Sequence, residues 1–320
     1  MTDGLYRSDG TSGGTALIAT TSFATWLAPW GDEVLFGGEA LWATQPASTE
    51  PLELTPPASV TAVNEIVTLG SRIVFVAESD AAGSELWLSQ GVPGDATLLA
   101  DLLPGSTGAL LRVGGLDGMM DARAPQLVAL EDVALFVALL PSLGRELWVT
   151  DGTALGTGLL RDIYSGDYPS TPRDLTRLGN RIVFSAEDEA HGRELWVTDG
   201  TYPGTVLLED VAPGLASSSP DDLVVRDGVL YFSAWSPNYG REAWKSDGTA
   251  AGTVRISDIA PGPLSSSPQR FARAGNRLYF SATDQVHGYE LWALSDDGSI
   301  PLFLDGFESS DTARWSLALP

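Results

Sequence analysis

Short runs in which apolar and polar residues alternate, each bounded by turn formers, fill most of this chain. Between Pro220 and Gly262, Leu223–Val225 is a brief apolar run closed by Asp227-Gly228. In Val229–Ala234, Val229, Tyr231 and Ser233 fall on one side, and Leu230, Phe232 and Ala234 on the other. A loop ending at Gly240 leads into Arg241–Ser246, Asp247-Gly248-Thr249 turns the chain back, and Thr253–Ile259 runs to Pro261-Gly262. Period-two alternation rich in β-branched and aromatic residues predicts four strands. Asp-Gly between two such runs predicts a tight hairpin, because glycine accepts a positive φ.

The same frame recurs along the chain. Gly70-Ser71, Gly179-Asn180 and Gly275-Asn276 occupy the first turn, and Phe75, Phe136, Phe184, Phe232 and Phe280 hold one place in the second strand. Trp148, Trp196, Trp244 and Trp292 are spaced by 48 residues each. Four antiparallel strands at such a period predict an all-β fold, a β-propeller of four-stranded blades. The Phe and Trp positions would pack blade on blade, each burying about 150–250 Å². Seven copies of the third-to-fourth-strand hairpin occur against six of the first two strands. Seven blades with the first incomplete is the preferred count, and six with an extra hairpin is the alternative. Residues 1–304 are expected to form a single repeat domain. The tail 305–320 would add one closing strand at most, through Ala313–Leu319, and Met1 is expected to lie inside a longer natural array.

The third and fourth strands carry a phrase, ELW, then DGT, then GT, in full at Glu146–Thr157, Glu194–Thr205 and, with Ala243 for leucine, Glu242–Thr253. Worn copies lie at Leu5–Thr15, Glu39–Gln45, Glu85–Thr97, where Gln90-Gly91 replaces Asp-Gly-Thr, and Glu290–Ser299. From Leu5 to about Leu304 the chain resembles the bacterial ELWxxDGT-repeat family. Asp305–Asp311 is similar to a DGFESGD-type ending of exported bacterial proteins, with Ser310 where glycine is usual. Together these resemblances imply an extracellular or cell-envelope address and carry no catalytic residue to map.

Composition narrows the chemistry. With 42 acidic against 18 basic residues the net charge is −24, and Lys245 is the only lysine. Such a chain repels phosphate, which excludes nucleic acid and anionic membrane surfaces; cationic proteins, cations and neutral sugars remain. Acidity also serves simply to keep a tryptophan-rich protein soluble. The absence of cysteine removes disulfides, thiol catalysis and cysteine metal sites. No signal peptide is visible at Met1–Gly10, and no run is long enough to span a membrane: the most apolar stretch, Leu127–Leu140, is broken by Glu131 and Asp132. A monomer without membrane insertion is expected.

Candidate sites weigh against simpler readings. Asp151, Asp199 and Asp247 in the hairpins, with Asp162, Asp210 and Asp258 after the fourth strands, invite calcium. Their spacing lacks a dedicated calcium loop, and an aspartate bonding its own turn explains them as well. Glu39, Glu85, Glu146, Glu194, Glu242 and Glu290 would make a ring of six carboxylates, or a repeated ion pair or backbone acceptor. Arg145, Arg193 and Arg241 precede three of them but point to the opposite face, so any pairing is with another strand or blade. His191 and His287 share one slot before the motif, which implies a turn role. Trp26, Trp30 and Trp235 lie outside the motif as candidates for sugar stacking. The interval from Trp87 to Trp148 exceeds the period by 13 residues, a surplus placed near Ser106–Ala122 with Leu110, Leu111, Met119 and Met120. It is either a functional loop or one packed on the rim. No catalytic, cofactor or metal residue is assigned. The expected function is a non-enzymatic exported scaffold or binding module that recognises a protein or glycan through rim loops. A carbohydrate-active propeller enzyme with paired carboxylates, or a calcium-stabilised surface repeat, are the alternatives.

Overall fold

The computed structural model describes residues 4–21, 24, 26–46, 48–56, 60–105, 108–110, 127–274 and 277–294. The tail 305–320, with the closing strand expected at Ala313–Leu319, and the turn at Gly275-Asn276 lie outside these residues, as does the last motif copy beyond Leu294. Every regular element among the described residues is a strand.

The chain divides into two compact units. The first, residues 1–162 and 166–169, holds sheets 1 to 4. Sheet 1 pairs Gly4–Arg7 with Ala16–Thr20. Sheet 2 runs Leu27–Trp30, Glu33–Phe36, Trp42–Gln45, Ser48–Glu53; sheet 3 runs Ala62–Leu69, Arg72–Ser79, Gly83–Ser89, Thr97–Ala100; sheet 4 runs Leu127–Leu130, Val133–Leu140, Gly144–Thr150, Gly158–Arg161. The second unit, residues 163–165 and 170–320, holds three more. Sheet 5 runs Arg173–Leu178, Arg181–Asp188, Gly192–Thr198, Val206–Glu209; sheet 6 runs Asp221–Arg226, Val229–Ser236, Gly240–Ser246, Val254–Arg255; sheet 7 runs Gln269–Ala274, Arg277–Thr283, Tyr289–Leu294. Strands pair in sequence order and antiparallel throughout, so the fold is all-β, of the β-propeller type built from four-stranded blades. Seven sheets are present among the described residues, the first with two strands. Its hairpin is held to sheet 2, where Thr20 Oγ1 donates to Thr49 O.

Inside each unit the alternation read from the sequence becomes two apolar faces per sheet. One face carries the second-strand phenylalanine and, directly across, the third-strand tryptophan: Phe36–Trp42, Phe75–Trp87, Phe136–Trp148 and Phe232–Trp244 have ring centroids 6.3–6.5 Å apart. The opposite face carries Val and Leu and receives the next sheet's aromatic face. Val183, Leu195 and Val197 of sheet 5 pack on Leu230, Phe232 and Ala234 of sheet 6. Val74, Val76 and Leu86 of sheet 3 pack likewise on Phe136, Ala138 and Trp148 of sheet 4.

The fourth strand is shorter than its sequence suggests. In sheet 6 only Val254–Arg255 is strand, not Thr253–Ile259. Ile256 N still donates to Ala243 O, after which the chain leaves the ladder and gives the Ser257 hydroxyl and the Ile259 amide to Glu242. A buried carboxylate outcompetes the remaining ladder bonds, because charge-assisted bonds are the stronger ones.

Candidate functional site

The carboxylates of the repeat are the densest chemistry in the chain, and the structure sorts them into two devices. The first is the DGT turn. Asp151 Oδ1 accepts from the Thr153 amide (2.8 Å) and the Thr153 hydroxyl (2.7 Å), and that hydroxyl accepts from the Gly156 amide. Thr150 Oγ1 takes the Gly152 amide, and the Thr157 hydroxyl donates to Thr153 O. The same net recurs around Asp9, Asp199 and Asp247. In all four the threonine hydroxyl, foremost, holds the carboxyl below the ordinary aspartate range.

This packing also explains the GT glycine. A Cβ added at Gly204 would sit 2.0 Å from Asp199 Oδ1, so the carboxylate occupies the space a side chain would need. Sheet 3 shows the reverse arrangement. Gln90 stands at the aspartate position and Asp95 at the glycine position, and the Asp95 carboxylate reaches back to the Ser89 hydroxyl and the Gln90 amide. The carboxylate is kept and its origin is switched. Gly204→Ala is therefore expected to destabilise the chain by about 1–3 kcal/mol, the range for overpacking a tight site. In a double-mutant cycle with Asp199→Ala most of that cost should vanish; equal costs in both backgrounds would rule the packing argument out.

The second device is the motif glutamate. Glu85, Glu146, Glu194 and Glu242 are fully buried, whereas Glu290 is half-buried and Glu39 exposed. The carboxylates of Glu85, Glu194 and Glu242 each reach the crossover that leads from their sheet to the next. Glu194 accepts from the Val211 amide (3.0 Å), the Ser218 amide (2.8 Å) and the Ser218 hydroxyl. Glu242 takes the Ile259 and Ser266 amides and the Ser257 and Ser266 hydroxyls. Glu85 takes the Leu103 and Ala109 amides. Glutamate and crossover residue are 24 positions apart in all three. Backbone acceptor is thus the reading of these glutamates that the geometry supports, in place of a carboxylate ring. Burial raises Glu85 and pushes Glu194 up to about 7.

Sheet 3 differs by one atom. Ala109 stands where Ser218 and Ser266 supply a hydroxyl, and among the described residues Glu85 Oε2 has no donor. Ala109→Ser is expected to stabilise the chain by about 1 kcal/mol, a typical hydrogen-bond gain. A lower midpoint in urea would show the place to be too small for the hydroxyl.

Arg193 and Arg241 direct their guanidinium groups to carbonyls instead of the glutamates that follow them. Arg193 Nη1 and Nη2 donate to Thr171 O and Ser170 O, and burial brings its pKa down to about 10. Arg241 does the same with Ser219 O and Ser218 O. Ser218 is thereby held from both sides, by Glu194 of sheet 5 and Arg241 of sheet 6. An ion pair with Glu187, at 3.8 Å, is secondary for Arg193.

No family model matches the chain, and no curated protein matches it. Among solved structures, a puromycin hydrolase (S511A mutant complexed with PGG) is 15% identical, over 89% of this chain and 45% of that one, with a TM-score of 0.46. A puromycin-hydrolysing peptidase of Mycobacterium tuberculosis is 12% identical over 90% and 48%, TM-score 0.46. TolB from Acinetobacter baumannii is 13% identical over 83% and 58%, TM-score 0.39. The chain thus spans about half the length of the proteins it is similar to. At these scores none of them transfers an activity.

The remaining candidates fall into place around the two devices. His191 and His287 close equivalent turns: each amide and each Nδ1 meets the carboxylate three residues earlier, Asp188 or Asp284. Those bonds raise both histidines, so the stability they add is full below the free imidazole's range and is lost as pH rises through the folded value. Trp26 and Trp30 pack on the core of sheets 2 and 3, and the Trp30 ring lies on Gly91, so packing accounts for them without sugar stacking. Trp235 is half-buried across from Arg241. Among the described residues the exposed aromatics are instead Tyr6, Tyr168, Tyr202, Tyr239 and Tyr289. Gly240, at φ 61°, leads into the third strand with the Leu264 carbonyl where a Cβ would go, which presses crossover and hairpin together on that rim. Among the described residues no three Asp, Glu or His side chains are grouped to hold a metal.

The surplus in sheet 4 enters later than the sequence suggested. Ala109 keeps the repeat's spacing to Glu85, and the Leu110 amide still reaches Ser84 O. The extra residues therefore lie between Leu110 and Leu127, ahead of the first strand. Residues 106–107 and 111–126, with Leu111, Met119 and Met120, are outside the described set.

Proposed function

We propose that this chain is a non-enzymatic repeat scaffold and binding module, which recognises a protein or glycan through loops on the rim formed by crossovers and second-to-third-strand turns. The observation that carries the reading is the employment of the repeated charges. Each DGT aspartate holds the amide and hydroxyl of its own turn's threonine through Oδ1, the buried glutamates of sheets 3, 5 and 6 accept crossover amides, and Arg193 and Arg241 donate to crossover carbonyls. Paired acids for glycoside hydrolysis need free carboxyl oxygens at a fixed separation, and Glu194 and Glu242 have both of theirs committed to crossovers. The rim, by contrast, exposes residues that vary from sheet to sheet, among them Leu215, Tyr239, Leu264 and Tyr289. The resemblance to exported bacterial repeats supports an extracellular or envelope setting, and the charge of −24 supports a neutral or cationic partner.

A panel of neutral polysaccharides and basic proteins, screened for both binding and turnover, tests the reading. Saturable binding that falls when Tyr239 and Leu264 are replaced by Ser, with no turnover between pH 5 and 8, is the expected result. Hydrolysis abolished by a single carboxylate substitution would establish the enzyme instead.

A further inference from the structure

Arg193 and Arg241 occupy equivalent seats. The guanidinium of Arg193 donates to Thr171 O (3.0 Å), Ser170 O (3.2 Å) and Ser185 O (3.5 Å); that of Arg241 donates to Ser219 O (3.0 Å), Ser218 O (3.2 Å) and Ser233 O (3.3 Å). The hydroxyls of Ser185 and Ser233 lie 3.4 Å from the same nitrogens. Three carbonyls and one hydroxyl thus surround a planar forked donor, a geometry suited to guanidinium rather than ammonium.

Sheet 7 builds the same seat. Ser267 has φ 47°, as Ser219 has 47° and Thr171 45°. The Thr283 amide donates to Ser266 O, as those of Trp235 and Glu187 do to Ser218 O and Ser170 O. The Ser267 amide donates to Arg241 O, as that of Ser219 does to Arg193 O. Ser281 pairs with Gln269 and Leu291 where Ser233 pairs with Asp221 and Ala243. The residue before the motif glutamate, however, is Tyr289, and it is 57% exposed. Among the described residues no arginine side chain donates to Ser266 O, Ser267 O or Ser281 O. The cover changes accordingly: Ser185 and Ser233 are 1% and 2% exposed, whereas Ser281 is only half-buried.

We propose that Ser266 O, Ser267 O, Ser281 O and Ser281 Oγ bind a guanidinium group from outside the chain, either the end of a partner's arginine side chain or a free guanidino compound. The exposed Tyr289 ring adds a face on which a cation can stack. Arg270 is the opposing charge in the adjoining first strand; the carboxylate of Asp222, which accepts the Arg270 amide, offsets it. The large negative charge of the chain draws cations to it. The biological meaning of the seat rests on the binding-module reading; its chemistry does not.

The test is titration of the chain with arginine amide, lysine amide and a peptide holding one arginine between neutral residues, read by the amide resonances of Ser266, Ser267 and Ser281. Arginine amide is expected to bind saturably and about tenfold tighter than lysine amide, as a forked donor does over a single ammonium. Tyr289→Arg places the chain's own guanidinium in the seat; it is expected to abolish binding and to raise Tm by about 2–4 °C. Should that variant fail to fold, Ser281→Leu, which fills the seat, carries the same expectation of lost binding. Tighter binding of the peptide points to a protein partner, and binding of the free amide alone to a small guanidino compound; both support the seat. Equal response to the two amides, no saturation, or undiminished binding in a folded variant overturns it. Because the probes are small molecules, such a result counts against the seat alone and leaves recognition by the rim loops standing.

Discussion

Replacing Glu194 by alanine is expected to cost about 3–5 kcal/mol, because it strands several buried donors at once. The Val211 amide, the Ser218 amide and the Ser218 hydroxyl would all lose their acceptor in a fully buried place. Water cannot replace it without opening the crossover between sheets 5 and 6. Glu194→Gln should cost less, since one amide oxygen still accepts while the NH2 end faces donors. The same residue sets a pH dependence. Its carboxyl is raised from the ordinary 4.5 to about 7 by burial, so between those values the folded chain holds a proton that the unfolded chain has released. Its contribution to stability is therefore greatest below pH 4.5, falls as pH rises towards 7, and is level above. Urea midpoints compared at pH 5 and pH 8 check this: Glu194→Gln should flatten the difference, and an unchanged slope would place the titration on another group.

The second large effect is expected at Phe232. Phe232→Ala should cost about 3–5 kcal/mol, the range for truncating a buried phenylalanine. Phe232 is fully buried, lies 6.4 Å from Trp244, and fills the face that sheet 6 turns to Val183, Leu195 and Val197 of sheet 5. A hole there weakens two sheets together, so hydrogen exchange should quicken in both. Leu155→Ala is the control: Leu155 is fully exposed at a hairpin tip, and a change beyond about 0.5 kcal/mol would contradict the assignment of the core to the sheet faces.

Much of this was legible along the chain. The alternation in Val229–Ala234 places Phe232 on one face, and the structure puts Phe232 opposite Trp244 as that alternation requires. The DGT aspartates could be read as turn acceptors, because their partners are two residues away and local geometry decides the bond. The opposite facing of Arg193 and Glu194 was readable from the strand period, and neither pairs with the other. Less legible was the reach of Glu194, whose serine partner is 24 positions on. That constant interval is present in the sequence, with Ser218 and Ser266 at matching offsets, and is the one signal that would have exposed the bond. The seat in sheet 7 was hidden for another reason. Tyr289 reads as a worn motif position, and only the acceptors around it show what it replaces.

The sequence by itself determined the strand order, the 48-residue period, the aromatic and aliphatic faces and the hairpin turns. All of these depend on neighbours within a few residues or on a period-two pattern, which the chain carries wherever it goes. The tertiary structure decided which polar atoms meet across a crossover, where the fourth strand ends, and that four motif glutamates are buried. A buried carboxylate is tolerable only where donors converge on it from a distant segment, and that convergence exists only once the sheets have packed.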